Sequence, residues 1–373
     1  MIYLDYSATT PVNKDVLKSF NDTCINYVGN TNSLHKLGIE SKNLMSMATN
    51  QIANLLQVKP SEIIYTSGSS EANNFIIKSV CLTYPNRGKH IITTKLEHAS
   101  IIEPLKFLEK QGYIIDYVNL DNNGCVDLDH LRKLISDDTI LVTIASVSSE
   151  LGILQPISEI GKIIRKYPKC IFHSDMTQSI GKVNVSLENV DAASFSSHKF
   201  YGLKGIGVLV KKENINLIPL IHGGESTTVF RSGTPALPLI VSISKALRLA
   251  LENIDKDYQK VQELSDYLKK ELSNIDGVII NNTSKSIPHI VNISILKIKP
   301  ETLIHALEMK DIYISTKSAC SSQKAVSDAL FSLYNDYDRA THSIRISISK
   351  LTTKEEITVF IKALKECIKS LTI

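Results

Sequence analysis

The sequence has no C-x-x-C pair, no run of like charges, no internal repeat and no low-complexity tract, and each absence closes a class of function. Its six cysteines (Cys24, Cys81, Cys125, Cys170, Cys320 and Cys367) are scattered, so neither a disulfide framework nor a zinc knuckle organises the chain. That usage suits a reducing compartment, and the expected location is cytoplasmic. No uncharged apolar stretch approaches the ~18 residues that span a bilayer. The opening residues Met1 to Tyr6 lack the basic and apolar regions of a secretory signal. Forty-two basic residues against 38 acidic ones leave a formal +4, so no dedicated nucleic-acid surface is expected. A phosphate-binding G-x-x-x-x-G-K-[ST] loop is missing, and Gly68 alone does not make a dinucleotide fingerprint.

What is present is the composition of a soluble globular protein: 373 residues, 43% hydrophobic and 21% charged. The length implies two domains or one large α/β unit. Short β-branched runs recur at 62–66, 90–94, 113–118, 139–145, 170–173, 192–195 and 205–210. Most are separated by helix-length stretches, the βαβ rhythm of a mostly parallel sheet covered on both faces. The run at 205–210 follows its predecessor too closely for a helical crossover, so it is expected to enter the sheet antiparallel. Two long helical patterns follow, about 236–253 and 256–275, then shorter strands at 278–281, 289–295, 311–316 and 343–349. The last helix opens on a capping box, Thr353 to Glu356. The expected division is an N-terminal segment, 1–14, packing with the small domain; a large α/β domain, 15–255; and a small α+β domain, 256–373, carrying a loop with Cys320.

Three stretches can do chemistry. Asp175 leaves one buried run and Lys199 leaves the next. A pyridoxal cofactor needs that pair: a carboxylate to keep its pyridine nitrogen protonated, and an amine to hold it as a Schiff base. Taken singly, a surface lysine and a helix-capping aspartate would look the same. The small residues Ser67, Gly68, Ser69 and Ser70 lie between a strand and a helix, where backbone N–H groups close around a phosphate; an ordinary serine N-cap is the competing reading. Cys320 sits among Ser318, Ala319, Ser321 and Ser322, an accessible setting for a thiol that ionises and attacks, whereas the other five cysteines read as structural. No metal-ligand spacing is present.

Together these residues resemble the cysteine desulfurases of the NifS/IscS type, within the fold-type-I pyridoxal-phosphate (PLP) enzymes. The likeness runs in order through Tyr3–Pro11, Gly29-Asn30, Ser33–His35, Thr66–Gly68, Glu97-His98, Asp175–Gln178, Ser196–Lys199, Gly202–Gly207, Arg231–Thr234, Ser318–Ser321 and Ser343–Arg345. It implies a large domain with a seven-stranded, mostly parallel sheet plus a smaller α+β domain. It also implies that Lys199 attaches the cofactor, Asp175 pairs with the pyridine nitrogen, Gln178 bonds the ring hydroxyl, and His98 stacks on the ring and assists proton transfer. Ser69, Ser70, Ser196 and His198 would hold the phosphate, with Thr234 reaching in from the other subunit of a homodimer. Arg345 would clamp the carboxylate of L-cysteine, Asn30 would form part of the substrate pocket, and Cys320 would carry the persulfide to an acceptor protein. A selenocysteine or cysteine C–S lyase, and a catalytically weak docking protein, are the competing functions.

The chain departs from the family pattern at four places. Ser149 stands where an asparagine usually helps fix the ring hydroxyl and the substrate carboxylate. Met176 replaces a small residue beside Asp175 and could crowd the ring. Thr31 and Asn32 break an Asn-Pro-Ser turn, and Glu225–Thr228 replaces a Gly-Gln/His-Glu pattern. The end at Ile373, without a longer tail, suggests a tRNA-thiolation or thiamine-pathway acceptor rather than an iron–sulfur scaffold.

Overall fold

The computed structural model describes residues 1–224, 227–316 and 326–371. A short strand, β1 (Ile2–Tyr3), is followed by the seven strands of the main sheet: β2 (Ile63–Thr66), β3 (His90–Thr93), β4 (Ile114–Tyr117), β5 (Thr139–Thr143), β6 (Ile171–Asp175), β7 (Ala192–Ser196) and β8 (Gly207–Lys211). Their order is β2-β8-β7-β6-β5-β3-β4. Only β8 runs against its neighbours, pairing antiparallel with both β2 and β7, which meets the expectation for 205–210.

Side chains alternate between two buried faces. Phe172, Ala193, Phe195 and Val208 point to one, where the helices Lys36–Leu56 and Leu237–Leu251 pack; Ile171, Ala192 and Leu209 point to the other, under the helix Ser69–Thr83. Every residue of β6 and β7 is buried, so these strands show no hydrophobic–polar alternation. The parallel strands end on one edge, and loops leaving that edge converge as they do in open α/β sheets.

The remaining strands are β9 (Ile279–Ile280), β10 (Ile290–Ser294), β11 (Ile312–Tyr313) and β12 (Ser343–Ser347). β10 lies antiparallel between β9 and β12, while β1 pairs parallel with β11. The expected strand at 311–316 is split: Asp311 takes a left-handed turn (φ 59°), Ile312 and Tyr313 pair with β1, and Ser315 bridges to Arg345 instead. A second core joins Leu4, Leu268, Ile346, Phe360 and Leu364 beneath the helices Ile254–Ser273 and Lys354–Leu371. The last helix does open on its capping box, with Glu356 N–H donating to Thr353 Oγ1 at 3.2 Å and Thr353 N–H to Glu356 Oε2 at 2.9 Å.

Candidate active site

A cavity of about 240 Å³ lies at the carboxyl edge of the main sheet. Lys199, Asp175, Gln178 and His98 line it, together with Ser69 and Ser70 at the start of their helix, and with His198, Ser149 and Arg345. Ser196 stands directly behind Ser69, its Oγ accepting the Ser69 N–H at 2.7 Å. Two nominated residues are elsewhere: Asn30 and Thr234 are exposed and contribute nothing to the lining. Met176 does not crowd this space. It is buried in the core with Ile180 and Ala193, because Asp175 turns towards the cavity and its successor turns away. Cys320 lies outside the described residues, as do Glu225 and Ser226. Residues on either side of 317–325 are tied to Arg345 of the cavity wall and to Glu150, which follows the lining residue Ser149. Ser315 exchanges backbone hydrogen bonds with Arg345 (2.7 and 3.2 Å), and Ser327 Oγ donates to Glu150 Oε2 at 2.6 Å.

Lys199 ends a single 3-10 turn leaving β7, and its Nζ donates to the carbonyls of Ser7 (2.7 Å) and Ala8 (2.8 Å). Asp175, the last residue of β6, accepts the Asn73 amide N–H on Oδ2 at 2.8 Å and the Thr177 N–H on Oδ1 at 2.9 Å. Asn73 is itself held: its oxygen accepts from the Ser194 hydroxyl, and its NH2 group also donates to Ser100 Oγ at 2.9 Å. His98 caps the helix Ala99–Glu109. Its Nδ1 accepts the Ser100 N–H at 3.1 Å, which leaves the proton of a neutral ring on Nε2. Burial holds the His98 imidazole below its usual range; Asp175 opposes that shift and Lys199 adds to it. Burial also pushes His198 down to about 4, with Lys199 reinforcing it. Both rings are therefore neutral near pH 7.

Arg345 is 1% exposed. Its Nη2 meets Asp5 Oδ1 at 2.9 Å and its Nη1 donates to the Ser149 carbonyl at 3.0 Å, while the buried Nε has no partner. Thr177 Oγ1 is likewise buried without a partner beside Asp175. The turn before the helix Ser69–Thr83 packs closely on β8, where a Cβ on Gly207 would come within 2.7 Å of the Gly68 backbone, and the helix N-terminus it leads into suits a phosphate. The amine, the carboxylate, the helix N-terminus with its serines and the donors left unpartnered fit pyridoxal phosphate and an amino-acid carboxylate. Sequence reasoning gave no role to Asn73, Ser100 or Asp5. Asn73 had one usable signal: it follows Ser69 by four residues and so shares its helix face.

The aminotransferase class-V family model matches residues 2–360. The cysteine desulfurase IscS of Dictyoglomus turgidum is 37% identical over 375 residues, covering 99% of this chain and 95% of that protein. The cysteine desulfurase IscS of Colwellia psychrerythraea is 40% identical over 376 residues, covering 98% of this chain and 92% of that protein. Among solved structures, a NifS-like protein superposes with a TM-score of 0.93 at 36% identity, covering 99% of both chains. With the fold, the cavity and these likenesses in agreement along the whole sequence, the chain belongs to the class-V aminotransferases, PLP-dependent enzymes, among the cysteine desulfurases of the NifS/IscS type.

Proposed function

We propose that this chain converts L-cysteine to L-alanine and leaves the sulfur as a persulfide on Cys320, for transfer to an acceptor protein serving iron–sulfur cluster assembly, tRNA thiolation or thiamine synthesis. The observation that carries this reading is the convergence of Lys199, Asp175 and Arg345 on one cavity. Pyridoxal phosphate, when bound, supplies an electron-withdrawing ring that acidifies the Cα–H of an attached amino acid.

Asp175 would hold the proton on the ring nitrogen, and its own two donors fix its direction. Gln178 would donate to the ring hydroxyl, His98 would stack on the ring, and Ser149 would meet the ring oxygen or substrate carboxylate through a water. Ser69, Ser70, Ser196 and His198 would bind the phosphate, with Thr234 supplied by the partner of a homodimer. Arg345 receives the substrate carboxylate, and its fork suits two parallel hydrogen bonds. Asn30 belongs to the substrate pocket. Lys199, whose amine would hold the cofactor, would also take the Cα proton. The Cys320 thiolate would then attack the substrate sulfur; a sulfur–sulfur bond forms as the carbon–sulfur bond breaks, and a proton added at Cβ together with the one returned to Cα completes alanine.

The test is the visible spectrum of the purified protein, with alanine and sulfide assayed after L-cysteine is added. An absorption band with matched alanine and sulfide is expected. Lys199→Ala should abolish band and turnover together, and Cys320→Ala turnover alone. Sulfur release that survives Cys320→Ala would favour a C–S lyase; the absence of any band after PLP is supplied would sink the assignment.

A further inference from the structure

We infer that Lys182 is a positioning residue that sets the direction of the Gln178 side-chain amide, so that its NH2 group and not its oxygen faces the cofactor cavity. This rests on the reading of Gln178 as the partner of the ring hydroxyl. Gln178 and Lys182 are 5% and 7% exposed. The backbone between them is turned helically: Ile180 N–H donates to the Met176 carbonyl, and Lys182 and Val183 N–H to that of Ser179. Residues four apart thus share one side.

A lysine amine donates and a glutamine amide offers one oxygen and one NH2 group. Lys182 Nζ donates to Gln178 Oε1, and this commits the oxygen end. The nitrogen end then lies on the other side, where it donates to the Ser7 carbonyl at 3.0 Å. That carbonyl also accepts Lys199 Nζ at 2.7 Å, so two donors share it. When a ring oxygen takes over the Gln178 N–H, Lys182 alone among the described residues still holds the amide from behind. Without it the amide can turn and set oxygen against oxygen.

The arrangement is costly. Lys182 makes no ion pair with a carboxylate among the described residues, and burial drives its basicity well down, with Lys199 and Arg345 adding to the effect. An apolar side chain would occupy this space without that penalty, which points to a functional reason for the amine. The amine donates in both its charged and neutral forms, so the orientation holds across that titration.

A double-mutant cycle tests this, with the full-length protein titrated with PLP and the dissociation constant read from the visible band. Lys182→Met and Gln178→Leu are each expected to weaken binding about tenfold, and the double variant to lie within about twofold of Gln178→Leu. No loss in Lys182→Met, or a loss undiminished on the Gln178→Leu background, overturns the inference. Wild-type affinity in Gln178→Leu overturns instead the reading of Gln178 beneath it. Lys182→Arg keeps the donor and covers the case in which Lys182→Met does not fold. It is expected to stay within about threefold of wild type, and a tenfold loss there counts against an orienting role.

Discussion

The Arg345 side chain shows how few atoms decide the chemistry at the residue scale. Its guanidinium is buried, yet only one carboxylate, Asp5, is within ion-pair distance among the described residues. Asp5 therefore neutralises a cation that would otherwise be costly to bury, and it aims the fork. Asp5→Asn keeps the shape and removes the charge; we expect a loss of about 1–3 kcal/mol, measured by urea denaturation, since the site is partly exposed. Arg345→Lys keeps the charge and loses the fork, so KM for L-cysteine should rise about tenfold or more while the visible band persists. Histidines set a second expectation. Burial lowers His173 to about 4, His198 to about 4 and His289 to about 3. Between those values and the ordinary 6.5 the unfolded chain binds more protons than the folded one, so stability rises with pH across that window. Above it their contribution is complete. Glu97 acts in the opposite sense: burial raises its carboxyl from the ordinary 4.5 to about 8, so its contribution is complete below 4.5 and is lost progressively as pH rises to about 8. Denaturation midpoints of the apoprotein should climb from pH 4 to pH 6.5, where three histidines outweigh Glu97. A flat profile would mean that the histidines are hydrated in solution.

Elements explain why some of this was readable in advance. The strands of the main sheet announce themselves as β-branched runs, and β8 was placed by its short connection alone. Asp175 and Lys199 stand out because strand ends in a parallel sheet lead to the site, and those residue types carry chemistry. Asn73 and Lys182 stayed hidden because an amide in a helix and a lysine in a turn ordinarily face water. Only the tertiary arrangement turns them inward. Met176 was misjudged for want of direction: adjacent side chains at a strand end leave on opposite sides, so a residue beside Asp175 need not approach the ring. The expected strands around 278–281 and 311–316 shrank because periodicity finds an extended run but not where its partner changes. The final helix carries its own prediction. Phe360 is wholly buried against Leu268 and Ile346, so Phe360→Ala should cost about 3–5 kcal/mol in denaturant unfolding. A loss below 1 kcal/mol would mean that this helix is not an integral part of the second core.

At the scale of the whole molecule the question is whether one chain is a complete site. Thr234 is exposed and absent from its own cavity. Asn30, also outside it, lies in a stretch with unusually exposed apolar side chains: Val28 at 75%, Leu34 at 93%, and Leu37 and Ile39 at 49% each. Apolar surface of that kind is costly on a monomer and suits an interface. A two-fold dimer would carry Thr234 of each chain into the other's cavity. Complementation tests this directly. Lys199→Ala and Thr234→Ala chains with different tags are co-expressed, and the mixed species is purified. In a mixed dimer one site combines Lys199 of the second chain with Thr234 of the first, and is intact; the other site lacks both. If Thr234 acts across the interface, the mixed dimer should regain about half the wild-type activity per dimer, although each parent is impaired. If Thr234 acts within its own chain, no intact site forms in any pairing, and activity stays no higher than half that of the Thr234→Ala parent. A Thr234→Ala parent with full activity would exclude Thr234 from the site altogether and leave the dimer resting on the apolar surface alone.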